Sequence, residues 1–173
     1  MTGRPAPIRR ALLAVILALA AGAALADELA GRVVAIAGGD TLTVLDAGHQ
    51  EHRIRLAGID APEKRQAFGQ AAKRGLSDLA YGRAVLVRWD KRDRYGRIVG
   101  VVLVDGADAG LAQVRAGLAW HYTKYAREQT PEDRQAYAQA EADARARHRG
   151  LWSDPAPVAP WDWRVASRTA GVR

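Results

Sequence analysis

Cysteine is absent from the 173 residues. That excludes disulfides and lipid attachment at a cysteine, and passage into an oxidising compartment would need no thiol chemistry. Long apolar runs are scarce as well. The one that begins at Ala11 stretches to about 16 residues, much of it alanine and glycine, short of the roughly 20 that span a bilayer. Histidine occurs four times, and His49, His52, His121 and His148 do not fall into a ligand pattern, so they read as surface or internally satisfied residues. No internal repeat is present. What remains is an ordinary globular balance, 49% apolar and 26% charged, in a length that suits one domain with a real core.

The first 26 residues stand apart. Arg4, Arg9 and Arg10 precede the apolar run, and Ala24-Leu25-Ala26 fits a small-x-small cleavage pattern before Asp27. The expectation is a secretory signal peptide over 1–26 rather than a membrane anchor. The mature chain would then be periplasmic or secreted, without stable membrane association. Without those three arginines it carries 23 basic against 19 acidic residues, a net charge of +4. That is compatible with a polyanionic partner without identifying one. The positive charge is concentrated between Arg83 and Arg97.

From Leu29 the pattern is of short strands joined by turns. Strands are expected over 29–36, 40–45 and 51–59, with Leu42 and Val44, then Ile54 and Leu56, as the alternating apolar positions. Helical spacing follows: Phe68, Ala71, Ala72, Leu76 and Leu79 form a stripe that ends at Gly82. Strands return over 84–90 and 97–105, with a short helix after Gly106. Thr130-Pro131-Glu132-Asp133 opens a last helix that stops at Gly150. The order predicts an α+β fold, a five-stranded β-barrel of the OB type with about three packed helices. The domain occupies 27–154. Residues 155–173 form a tail rich in proline and tryptophan, expected to lie extended with its tryptophans as anchors and its last residues disordered.

Three short motifs carry the chemistry. "GGDT" at 38–41 is a turn feeding a strand; "RIRLAGIDAPE" at 53–63 ends a strand in two carboxylates around a proline; "DRYGR" at 93–97 reads as a hairpin turn before an apolar strand. Each alone has an ordinary structural explanation. Their order and spacing, with "GLA" at 117–119 and "GLWSD" at 150–154, resemble the staphylococcal nuclease (thermonuclease) family over residues 30–154.

The resemblance implies a metal-dependent endonuclease that cuts the 5′ P–O bond of DNA or RNA and leaves 3′-phosphate ends. It places the metal-binding aspartates at Asp40 and Asp60, with the backbone carbonyl of Ala61 as a further ligand. It places the catalytic glutamate at Glu63 and the phosphate-binding arginines at Arg55 and Arg97. By its chemistry an all-oxygen set suits a hard cation, Ca²⁺ or Mg²⁺, and the family implies Ca²⁺. Arg53 shares the face of Arg55 and reads as a surface residue or secondary phosphate contact.

The sequence departs from the family in two places. Gly38 stands where a further carboxylate is common. Counting from Ala119, the two tyrosines that contact nucleotide fall on Thr123 and Tyr125, with Tyr122 beside the missing place; Tyr95 is a further candidate contact. Aromatics beside a basic groove suit single-stranded or locally opened nucleic acid, because bases must unstack to reach them. A monomer is expected. The competing expectation is a non-catalytic module of the same fold that binds nucleic acid or protein. Such a module would be expected to lack some of the carboxylates or arginines that are all present here.

Overall fold

The computed structural model describes residues 27–171, so the signal peptide expected at 1–26 lies outside the described residues. Eight strands are described: β1 (Asp27–Ile36), β2 (Thr41–Leu45), β3 (Glu51–Leu56), β4 (Ile59–Asp60), β5 (Ala84–Arg92), β6 (Ile98–Val104), β7 (Ala107–Asp108) and β8 (Trp120–His121). The helices are α1 (Gly69–Ala80), α2 (Ala109–Arg115), α3 (Pro131–Ala146) and α4 (Pro160–Thr169), with 3-10 turns at Thr123–Glu128 and Gly150–Ser153.

Strands β3-β2-β1-β5-β6 lie side by side, antiparallel in sequence order. A parallel seam then joins β3 to β6, with Ile54 opposite Ile98, Arg55 opposite Val99 and Leu56 opposite Gly100. The five long strands thereby close into the expected barrel, and closure removes the open sheet edges. Two glycines make the tight wrapping feasible. A Cβ on Gly31 would lie 2.4 Å from the Leu45 carbonyl oxygen, and one on Gly100 2.6 Å from that of Arg88.

The expected alternation is observed. Leu42, Val44, Ile54 and Leu56 are buried inside the barrel with Val33, Val87, Ile98 and Val102. Helix α1 lays Ala72, Leu76 and Ala80 on this core, with Leu79 partly buried against it. Helix α3 is capped by Thr130, whose hydroxyl oxygen accepts from the Asp133 N–H, and Pro131 takes the first turn as expected. Its Tyr137 is 2% exposed and donates a 2.6 Å bond to Asp108, which also caps α2. Burial pushes the Asp108 carboxyl up, against the pull of the Tyr137 hydroxyl.

Three expectations need correction. The strand expected over 51–59 breaks at Ala57-Gly58, where Gly58 takes φ 74°, and Ile59–Asp60 turns away to pair with Trp120–His121. The first helix begins only at Gly69. Phe68 is left-handed at φ 64° and packs with Trp120 beside Ala144, Leu151 and Trp152, not with the α1 stripe. Third, the tail is neither wholly extended nor disordered from Ala166, because 160–169 form a fourth helix. Pro160 presets the first turn, and Asp162 and Arg168 sit at the ends that favour their charges. Its tryptophans do serve as anchors. Trp161 meets Trp120 edge-on, and Trp163 lines a cavity of about 60 Å³ with Phe68 and Trp120.

Candidate active site

Asp40 sits on a loop that has almost no freedom. A Cβ on Gly39 would lie 2.5 Å from the Ala72 Cβ and 2.8 Å from that of Ala61, so only glycine lets this loop touch α1. Buried Gln113 locks the contact, its Nε2 donating to the carbonyls of Gly39 (2.8 Å) and Ala72 (2.9 Å). The Asp40 carboxylate is then fixed by three donors. Oδ1 accepts from the Thr41 hydroxyl at 2.8 Å, while Oδ2 accepts from the Ala61 N–H at 3.1 Å and meets Arg55 Nη1 at 2.9 Å.

Asp60 enters from the turned strand β4 and is 1% exposed. Arg55, on β3, donates from Nη2 to its Oδ1 at 2.9 Å, so one guanidinium bridges the two aspartates. A second guanidinium arrives from α4. Arg164 donates from Nη2 to Asp60 Oδ2 at 2.6 Å and from Nη1 to Oδ1 at 3.3 Å. The same Nη1 donates to Glu63 Oε1 at 2.8 Å. Burial pushes the Asp60 carboxyl up from its ordinary value, opposed by Arg164 and Arg55 and reinforced by the neighbouring charge of Asp40. Burial also works against the charge on Arg164, but its bonds to Asp60 and Glu63 outweigh that and hold the guanidinium above its usual value.

The expected residues therefore fall into two groups. Asp40, Arg55, Asp60, Ala61 and Glu63 converge at one end of the barrel. Arg97, Tyr95, Tyr122 and Tyr125 line the same open cleft of about 970 Å³, and their own partners lie elsewhere along it. Arg97 is held by Asp93, which accepts from Nε and lies 2.7 Å from Nη2. Tyr95, at the hairpin tip, is 68% exposed, with the guanidinium carbons of Arg94 and Arg97 at 4.8 and 5.6 Å from its ring. Tyr122 stacks on Trp161 (5.2 Å, 11° between planes) and meets Tyr125 edge-on at 5.1 Å. Lys91 and Lys124 lie over the Tyr125 ring at 5.5 and 5.9 Å. Arg53 also lines the cleft.

Of the histidines, His52 pairs with Asp46 at 2.7 Å and buried His121 with Gln129 at 2.8 Å, the satisfied roles expected of them. Arg164 was not foreseen. Its signal is present in "PWDWRVASR", where Trp161, Arg164 and Arg168 recur at helical spacing after a proline start, and all three face the cleft.

The donor set fits a divalent cation of the hard kind. Asp40 and Asp60 offer oxygens close enough to share one guanidinium, and a carboxylate as deep as Asp60 requires a cation partner. Among the described residues no group of three or more His, Cys, Asp or Glu side chains forms a metal cage. A cation held here would draw side-chain oxygens from Asp40 and Asp60, with the Ala61 carbonyl, water and substrate left to complete its shell.

The chain is similar over most of its length to several known proteins. A relative from Shigella flexneri named micrococcal nuclease is 42% identical over 170 residues, covering 93% of this chain and 94% of its own. An uncharacterized endonuclease from Haemophilus influenzae is 44% identical over 133 residues, 77% of this chain and 71% of the relative. Protein ParB from Escherichia coli is 43% identical over 149 residues, 81% of each chain. Residues 53–154 match the family described as staphylococcal nuclease homologue, and the chain belongs to that family.

Proposed function

We propose that the chain is an exported, metal-dependent endonuclease hydrolysing phosphodiester bonds in DNA and RNA. One observation carries the reading. Asp40, Arg55, Asp60 and Glu63, from four separate positions along the chain, meet in a cleft whose other walls carry several arginines, lysines and tyrosines. The similarity to proteins named as nucleases supports the same reaction class.

A divalent cation, Ca²⁺ or Mg²⁺, held by Asp40, Asp60 and the Ala61 carbonyl, would draw electron density from a bound phosphate oxygen. The chain's own groups do the rest. Arg55 and Arg97 donate to the phosphate and strengthen their hold as negative charge builds on phosphorus. Arg55 keeps N–H donors beyond those given to Asp40 and Asp60, since a guanidinium has five. Glu63 orients the attacking water and takes its proton. The new P–O bond to water forms as the bond to the 5′ oxygen breaks, leaving a 3′-phosphate and a 5′-hydroxyl. Tyr95, Tyr122 and Tyr125 offer faces to unstacked bases, which favours single-stranded or locally opened substrate. The enzyme works as a monomer, free of the membrane once the signal peptide is removed. Among the described residues no helix is long and apolar enough to cross a membrane.

The test is cleavage of denatured DNA by the purified protein with Ca²⁺ and then with a chelator, beside Glu63→Gln. Activity should need the ion and fall in the variant on the order of 10²–10⁴-fold. A folded protein that cleaves nothing with any divalent ion would leave a binding module on the same barrel. Export is checked by the mass of the mature protein, expected to start at Asp27.

A further inference from the structure

We propose that Arg164 sets the cation affinity of this site: its guanidinium competes with a divalent cation for Asp60 and Glu63, so docking of α4 and loading of the cation oppose each other. The inference rests on the cation site proposed above.

Both oxygens of Asp60 are occupied by guanidinium. Oδ2 accepts from Arg164 alone, and Oδ1 from both Arg164 and Arg55. A Ca²⁺ ligand must approach to about 2.3–2.6 Å, which would set the ion against a second fixed positive charge at contact range. Three carboxylates facing two arginines leave one negative charge. A divalent ion beside Arg55 alone neutralises that set; beside both arginines it leaves an excess of positive charge. One guanidinium is therefore expected to yield.

The one that yields is Arg164. Arg55 is built into the barrel seam, 15% exposed and shared with Asp40. Arg164 is 38% exposed on a helix of ten residues whose N-terminus has no side-chain cap. A helix that short does not persist without packing. Arg164 ties it to the carboxylates, the stack of Trp161 on Tyr122 ties it to the aromatic wall, and Trp161 and Trp163 also pack beside Trp120. Withdrawal of the Arg164 and Tyr122 contacts, with the helix pivoting on its Trp163 end, would bare Asp60 for the ion and one face of Tyr122 for a base. Cation loading and access to the aromatic platform would thus be a single event.

The experiment is a calorimetric Ca²⁺ titration of the protein, of Arg164→Gln and of Arg168→Gln, with amide hydrogen exchange over 160–169 in the unsubstituted protein. Arg168→Gln removes the same charge from the same helix without touching the carboxylates. Arg164→Gln should bind Ca²⁺ roughly tenfold tighter, as when a competitor docked nine-tenths of the time is removed. Arg168→Gln should change affinity far less, and Ca²⁺ should speed exchange across α4. Equal or weaker binding by folded Arg164→Gln, an equal effect of Arg168→Gln, or unchanged exchange would each overturn the proposal. If neither the protein nor Arg164→Gln binds Ca²⁺, the cation site itself fails. Binding with equal affinity sinks the competition alone.

Discussion

Two arginines reach Asp60 from regions of the chain that are held in different ways. Arg55 belongs to the barrel wall, where its backbone lies between Thr41 on one side and Val99 on the other. Arg164 belongs to α4, which follows the barrel in the chain and lines the cleft. The contacts are alike in chemistry, at 2.9 and 2.6 Å. The difference in anchoring teaches that an ion pair's role depends on what holds its ends. One pair is part of the scaffold, and the other is a latch on it.

The largest effect should come from the scaffold side. Arg55→Gln would remove a phosphate donor and leave buried Asp60 with a single partner. Cleavage should fall on the order of 10²–10³-fold, and urea unfolding should register a loss on the order of 3 kcal/mol. A variant with near-normal stability would erase the distinction between the two arginines. Next comes Tyr137→Phe, which tests a helix held through a buried side chain rather than through a half-exposed one. Loss of the Tyr137 hydroxyl from Asp108 should cost about 1–2 kcal/mol. Because burial raises the Asp108 carboxyl, its contribution to folding is fullest below the ordinary aspartate value and is lost as pH climbs through the raised one. The hydroxyl favours the ionised form, so the gap between variant and parent should widen from pH 4 to pH 7, as pH-resolved unfolding would show.

Arg164→Gln should cost less than about 1 kcal/mol of global stability, since Arg164 is partly exposed, buried Asp60 keeps its bond to Arg55, and α4 stands outside the main core. A loss matching that of Arg55→Gln in the same urea series would make α4 part of the scaffold. The smallest effect is expected at Gly38, where an added Cβ would meet only Asp40 Oδ1, at 4.0 Å. Gly38→Asp should fit and tighten Ca²⁺ binding by about a few-fold in the same calorimetric titration, by adding a carboxylate to the donor set.

Much of the barrel was legible because its signals are local: Leu42 and Val44, then Ile54 and Leu56, alternate within short strands. The grouping of Asp40, Arg55, Asp60 and Glu63 came from the resemblance of spaced motifs to a family, since each motif alone reads as a turn or a strand end, and the structure brings the four together. Phe68 was misplaced in the α1 stripe because nothing local announces a left-handed phenylalanine. Arg164 was missed because the prolines at 155, 157 and 160 give an extended composition. The third of them is in fact a helix start, and the helix's partners, Asp60, Glu63 and Tyr122, lie far upstream. Trp120 and Trp152 form a packing cluster with Trp161, with Arg145 over the Trp152 ring at 4.0 Å.

The parallel seam between β3 and β6 also governs when the site can exist. Ile54 must wait for Ile98, with α1 and β5 made in between, before the barrel shuts. Closing so long a loop costs entropy before any contact repays it, and such topologies fold slowly. A growing chain that ends before β6 already contains Asp40, Arg55, Asp60 and Glu63, yet lacks the strand against which β3 is braced. An unfinished chain thus carries the residues of the site before it has the barrel that positions them.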